Sequence, residues 1–383
     1  MLRKLNLFIV GAVTLCLSFA TPVYAIPRPG VSAKSAALYC PQTDEYLFEK
    51  DADRRMPPAS TTKIMTALLT CESGRLAESV TVTSQAAAVE GSSMELRAGD
   101  RVSFRGLLYG MLLTSGNDAA IAVAEALDGS CGKFVERMNE RARLLGMGNT
   151  HFANPSGLPD ENHYSSARDL AVLTAEALKN EAFADVCAKS EAAVYYGDPP
   201  YRRSLSNHNR LLDEYEGCIG VKTGFTKAAG RCLVSAAERN GVTLICVTLN
   251  DPDDWADHKS LLDYGFGIVG TTVFAPDTQS VLLPVTGADA GYLRVECPQS
   301  AHVAGGGEIT SQILLPPFVY APVQKGDVVG EAAVYCGDRM ITKLPLVAAQ
   351  DVPARGAVKN EARSDKKNIF ERIMEGIGSW KKK

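Results

Sequence analysis

The feature that most narrows the fold of this chain is a change of pattern near Gly270. Up to that point strand-like and helical stretches alternate. Residues 35–50 read as a hairpin, with Ala36-Ala37-Leu38-Tyr39 and Tyr46-Leu47-Phe48 as its apolar runs. Ser60 opens a helical pattern in which Ile64, Met65, Ala67, Leu68 and Leu69 recur at helical spacing, and Gly74 supplies the stop. Residues 118–127 and 167–178 are two further helices, the second entered through Ser165 or Ser166 with Asp169 placed for a capping box. Two β-rich stretches, 229–238 and 243–249, flank Asn240-Gly241, a strong hairpin signal. Helices set between parts of an antiparallel sheet predict a mixed α/β (α+β) core over residues 26–270. Residues 271–350, rich in Val, Pro and Gly with short alternating runs, predict a small all-β, sandwich-like module. Residues 351–365 are polar and read as a linker.

The two ends carry signals of another kind. Arg3 and Lys4 precede an apolar run from Leu5 to Ala20, and Val23-Tyr24-Ala25 has the form of a signal-peptidase site, so residues 1–25 are expected to be a secretory leader. Export followed by retention on the outer face of the cytoplasmic membrane is the expected location. The retention signal lies in residues 366–383. On a helical wheel Ile369, Phe370, Ile373, Met374, Ile377 and Trp380 fall within an arc of about 140°. The same segment holds six Lys/Arg against two Glu, the composition of a helix lying on an anionic membrane surface.

Composition removes several classes of function. With 46% hydrophobic and 22% charged residues, the bulk of the chain is not disordered. A balance of 40 Lys+Arg against 44 Asp+Glu has no concentrated basic face for nucleic acid. Ten cysteines without a CxxC spacing, and five histidines without HExxH, predict buried thiols rather than a disulfide scaffold or a zinc site. No metal or organic cofactor is expected.

The chemistry is carried by three short motifs. Ser60-Thr61-Thr62-Lys63 puts a hydroxyl and an amine one helical turn apart, and a desolvated lysine can serve as the base that a serine nucleophile needs. The S-x-x-K spacing also occurs at Ser130, Ser364 and Ser379, but only Ser60 follows Pro57-Pro58-Ala59 and starts an apolar-periodic helix. There a serine would sit at the positive end of the helix dipole, although a plain N-cap is the simpler account of that position. Ser115-Gly116-Asn117 is the only S-x-N in the chain, and Lys222-Thr223-Gly224 the only K-T-G. The three types in this order are the set found in penicillin-binding proteins and class A β-lactamases.

With these residues the chain resembles the serine-type D-alanyl-D-alanine carboxypeptidases, the low-molecular-mass penicillin-binding proteins. The resemblance rests on Pro57-Pro58-Ala59-Ser60-Thr61-Thr62-Lys63-Ile64-Met65-Thr66-Ala67, on Ser115-Gly116-Asn117-Asp118-Ala119 and on Gly220-Val221-Lys222-Thr223-Gly224-Phe225-Thr226. Residues 164–169 are also similar to the family, and residues 321–347 are similar in type to its β module. The resemblance implies a transpeptidase/β-lactamase-like catalytic domain, a small β-sandwich and a C-terminal amphipathic anchor. It implies that Ser60 attacks the carbonyl between the two terminal D-alanines of a peptidoglycan stem, and that Lys63 is the general base. Ser115 would relay a proton to the leaving amine, and Asn117 would orient Lys63 and the substrate amide. Lys222 and Thr223 would bind the terminal carboxylate. The N–H groups of Ser60 and Phe225, the latter following Gly224, would form the oxyanion hole. β-Lactam antibiotics would acylate Ser60 as mimics of the dipeptide end.

Two positions depart from the pattern. Phe225 follows the K-T-G motif with a side chain that cannot join a proton network. The family's substrate-facing arginine is expected at Arg210 in Asn207-His208-Asn209-Arg210, with His208 its rival. The alternatives are a class A-like β-lactamase, a D,D-endopeptidase and a catalytically silent wall-binding scaffold. Glu176-Ala177-Leu178-Lys179-Asn180 matches the lactamase E-x-x-x-N pattern only formally, at the end of a helix.

Overall fold

The computed structural model describes residues 26–305 and 308–356. The expected leader, and the amphipathic helix over 366–383, lie outside the described residues.

The sheet that carries the site has five antiparallel strands in the order Glu45–Lys50, Ser35–Cys40, Val242–Leu249, Gly230–Arg239, Cys218–Thr226. Its inner strands are apolar on both sides because both faces are covered. Along Val242–Leu249, Ile245, Val247 and Leu249 face one core while Leu244 and Cys246 face the other. Val234 and Ala236 alternate with Leu233 and Ala237 in the same way on the neighbouring strand. The hairpin between these two strands turns at Asn240-Gly241, both with positive φ (51° and 73°), as the dipeptide predicts. The expected first hairpin and the helices Asn117–Asp128 and Ala167–Leu178 are present, the latter capped by Ser166 Oγ, which accepts from Asp169 N–H at 3.1 Å. The reciprocal half of the capping box is missing. The Asp169 carboxylate instead accepts from Asn149 N–H (2.8 Å) and the Thr150 hydroxyl (2.7 Å), tying a distant loop to the helix start.

One face of the sheet packs on Ala167–Leu178, and in the same core lies the helix Lys63–Glu72, whose first nine residues are all buried, packed against Phe104–Leu112, Asn117–Asp128 and Ala167–Leu178. The other face packs on Asp254–Ile268. Within that helix the buried His258 meets the Ser235 hydroxyl (2.6 Å) and the Thr248 hydroxyl (3.0 Å), and burial pushes its pKa down to about 3, so it is a neutral structural bridge. Five of the cysteines (Cys40, Cys71, Cys187, Cys232 and Cys246) are buried free thiols that fill apolar space.

Beyond Ile268 a six-stranded sheet forms in the order Ile309–Leu314, Val328–Cys336, Arg339–Ala348, Tyr292–Glu296, Leu282–Thr286, Val319–Tyr320. With the pair Thr271–Phe274 and Ala301–Ala304 it encloses a separate core of Leu283, Val285, Leu293, Val303, Val334 and Leu346. Val352, within the stretch expected to be a linker, exchanges backbone hydrogen bonds with Val323 and is buried, so it belongs to this β module.

Candidate active site

The nucleophile position is built by a turn rather than by a helix end. Ser60 lies in a 3-10 turn, Ala59–Thr62, and the α-helix starts only at Lys63; no side chain caps it. The expectation of Ser60 at the helix N-terminus or N-cap is therefore corrected. Ala59 takes a left-handed conformation (φ 48°), strained for a residue with a Cβ, and this bends the chain out of Pro57-Pro58 and aims Ser60 into the cleft.

Two neighbouring segments press closely against this turn, each at a glycine. A Cβ at Gly157 (φ 88°) would lie 1.9 Å from the Ala59 carbonyl oxygen. A Cβ at Gly224 would lie 3.0 Å from Ser60 N and 3.2 Å from Thr61 N. The K-T-G strand therefore runs against the peptide N–H of Ser60, and the 154–158 loop closes the opposite side. Asn154 shapes that loop: its Oδ1 accepts from the N–H groups of Ser156 (3.2 Å), Gly157 (2.8 Å) and Leu158 (3.1 Å).

Lys63 is completely buried. Its Nζ is 2.7 Å from Asn117 Oδ1, 2.6 Å from the Ser156 carbonyl and 3.1 Å from Ser60 Oγ. Burial is the main force holding the amine well below its usual value; the Lys222 cation pushes the same way and Asp118 opposes. A neutral amine has two N–H bonds and one lone pair. The two carbonyl acceptors take the two N–H bonds, which leaves the lone pair facing the Ser60 hydroxyl. Asn117 is fixed in turn, its Nδ2 donating to the Glu90 carbonyl (2.7 Å) and its own N–H to the Ser92 carbonyl (2.7 Å). Asp118, also buried, accepts from the N–H groups of Met94 (3.1 Å) and Leu96 (3.0 Å) and from the Ser93 hydroxyl (2.6 Å), pinning the loop that forms this wall.

His163 braces the helix from behind. Its Nδ1 accepts from Ala153 N–H (3.1 Å), so the ring proton sits on Nε2 and is donated to Thr62 Oγ1 (2.7 Å). Burial holds its pKa down near 4, and it stays neutral. Ser115 is likewise held with a left-handed backbone (φ 60°), and it lines the cleft. Lys222 is buried, with its Nζ 2.8 Å from the Thr223 carbonyl, and burial pulls its pKa down to about 7.

A cleft of about 480 Å³ is lined by Ser60, Ser115, His208, Thr223, Gly224, Phe225, Arg231, Asp254 and Trp255. Arg210 is not part of it. That guanidinium pairs with Glu214 (2.7 Å) at the surface, whereas His208 is held at the cleft by its N–H bond to the Leu113 carbonyl (3.2 Å). Of the two candidates for the substrate-facing position, the structure thus places His208 at the cleft and leaves Arg210 outside its lining. The arginine that does reach the cleft is Arg231, braced by Asp254 at 2.5 Å; it stands directly across the strand pair from Phe225, a register that no local motif reveals. Ser92 was also missed. Glu176 is engaged by Arg141 (2.8 Å) and Lys179 (2.9 Å), which removes it as a deacylating glutamate.

Fold and site together define an active-serine hydrolase. Residues 23–253 match the D-alanyl-D-alanine carboxypeptidase family, and residues 278–354 match the C-terminal domain of penicillin-binding protein 5. The chain is 31% identical to the D-alanyl-D-alanine carboxypeptidase DacF of Bacillus subtilis over 94% of its own length and 96% of that protein's. The crystal structure of the D-alanyl-D-alanine carboxypeptidase DacD from Francisella tularensis superposes with a TM-score of 0.61 at 28% identity, covering 90% of this chain and all of that one. The Streptomyces K15 DD-transpeptidase superposes with a TM-score of 0.59 at 33% identity, covering 63% of this chain and all of that one. The chain belongs to the D-alanyl-D-alanine carboxypeptidase family and is a serine D,D-carboxypeptidase of peptidoglycan metabolism.

Proposed function

We propose that Ser60 is the acylated residue and Lys63 its base, acting on the bond between the two terminal D-alanines of a peptide stem. The observation that carries this is the set of three short contacts at Lys63 Nζ, two to carbonyl oxygens and one to the Ser60 hydroxyl. Lys63 takes the Ser60 proton as Oγ bonds to the carbonyl carbon. The oxyanion is received by the N–H groups of Ser60 and Phe225. Ser115 passes a proton to the departing D-alanine nitrogen, and Lys63 later draws a proton from the water that frees the acyl group. Thr223, His208 and Arg231 line the cleft, Lys222 Nζ lies 3.4 Å from Thr223 Oγ1, and these groups receive the terminal carboxylate. Labelled penicillin followed by peptide mapping tests the assignment. The adduct is expected on the peptide containing Ser60; an adduct on Ser115, with D-alanine release intact, would overturn it.

The leader and the basic tail support export and retention at the outer membrane face, on sequence pattern alone. Deleting residues 366–383 is expected to release active enzyme from membranes, and high salt to release the full chain only partly, because apolar burial persists when charge is screened. Truncated enzyme that still pellets with membranes would sink this reading.

A further inference from the structure

Behind the helix that bears Lys63 lies a buried contact that touches none of the reacting groups. The loop 153–163 supplies the Ser156 carbonyl, one of the two acceptors that turn the Lys63 lone pair toward Ser60. The ends of this loop are closed on each other by His163, whose Nδ1 accepts from Ala153 N–H at 3.1 Å. From the same ring, Nε2 donates to Thr62 Oγ1 at 2.7 Å, which fastens the loop to the turn that carries Ser60. His163 is 3% exposed and Thr62 is fully buried, so water does not compete for either bond. One helical turn beyond Thr62, the Thr66 hydroxyl donates to the Pro155 carbonyl at 2.6 Å and gives the loop a second tether.

We propose that His163 is a positioning residue for the base: its ring locks the Ser156 carbonyl to the nucleophile turn and so sets the direction of the Lys63 lone pair. The proposal rests on the reading of Lys63 as the base for Ser60. A neutral imidazole has one donor and one acceptor, and here each is spent on a different segment. The ring therefore carries the position of one segment to the other. Without it the loop still hangs from Thr66, but it can pivot about Pro155, and Ser156 is the next residue. A shift of the Ser156 carbonyl by about 1 Å would turn an N–H of Lys63 toward Ser60 Oγ in place of the lone pair, a misplacement that costs on the order of 10²-fold. The molecule holds its own comparison. His258 makes the same kind of buried contact with the Ser235 hydroxyl (2.6 Å), on the sheet face that packs on Asp254–Ile268, with no bond to Lys63 or its acceptors.

The test follows acylation of the full-length enzyme by saturating penicillin, a rate that does not depend on affinity, beside the melting temperature. Thr62→Val keeps the shape and removes the oxygen, and it is expected to slow acylation roughly 10- to 100-fold. Thr62→Ser keeps the oxygen and is expected to stay within about threefold of wild type. His163→Asn puts an amide oxygen where Nδ1 lay and gives up the bond to Thr62, so it should be as slow as Thr62→Val. The double variant should be no slower than either single one, because both remove the same bond. Ser235→Ala is expected to lower the melting temperature as Thr62→Val does and to leave the acylation rate unchanged. Acylation of Thr62→Val within about threefold of wild type overturns the proposal. So do losses that multiply in the double variant, or acylation that falls in Ser235→Ala in step with its melting temperature. A wild-type enzyme that carries its penicillin adduct elsewhere than on Ser60 would remove the underlying reading, and the positioning role with it.

Discussion

Lys63→Ala is expected to slow acylation of Ser60 by penicillin and by D-alanyl-D-alanine peptides on the order of 10⁴-fold, the upper range for loss of a positioned general base. The fold should survive. Lys63 sits in a pre-built socket, and the space its side chain vacates can take a water that donates to the Asn117 and Ser156 carbonyls in its place. Circular dichroism should therefore be unchanged while stopped-flow acylation collapses. Lys63→Arg is expected to fail as badly, because a guanidinium keeps its proton and cannot present a lone pair to the Ser60 hydroxyl. The comparison separates a base from a mere cation, since arginine preserves charge and removes basicity. Acylation of the arginine variant within tenfold of wild type would show that Lys63 acts only as a charge.

Why the Ser60–Lys63 pair was readable from sequence and the socket around Lys63 was not comes down to range. Ser60 and Lys63 are three residues apart, so helical geometry alone brings them together. The Ser156 carbonyl that completes the set is 93 residues away, and a carbonyl has no residue type to betray it. Gly157 gave no local sign of its role either, because its necessity comes from the approach of Ala59, across the fold. Arg210 and His208 differ by two positions in a loop, and the choice between them is made by the Leu113 carbonyl, which holds His208 at the cleft. Arg231 reaches the cleft by cross-strand register with Phe225, which depends on how two strands align rather than on any motif. The five-stranded sheet was easier to read: its hairpins are marked by turn residues and its inner strands by unbroken apolar runs. Ser60 was placed on the helix too early because pattern locates the apolar stripe, whereas the left-handed bend at Ala59, which no propensity favours, delays the first α-helical turn to Lys63.

The second large effect concerns Lys222, and here activity and stability should move in opposite directions with pH. Burial lowers Lys222 to about 7, against 10.5 for an exposed lysine. Between those values the folded protein binds fewer protons than the unfolded chain, so stability rises with pH through that window. Carboxylate recognition needs the cation, so kcat/KM is expected to fall as pH passes about 7. A bound substrate carboxylate favours the charged form, which should displace the corresponding limb of kcat to higher pH. Lys222→Met is expected to lower kcat/KM for D-alanyl-D-alanine peptides by roughly 10²- to 10³-fold, the loss typical when one partner of a desolvated ion pair is removed. It should also abolish the alkaline limb. Because the Lys222 charge helps keep Lys63 deprotonated, its removal should move the acid limb upward as the Lys63 amine regains affinity for its proton. Two limbs shifting together distinguish an electrostatic partner of Lys63 from a residue that only contacts substrate. An alkaline limb retained in Lys222→Met would place the titrating group elsewhere, and an unmoved acid limb would mean that the two amines do not sense each other across the cleft.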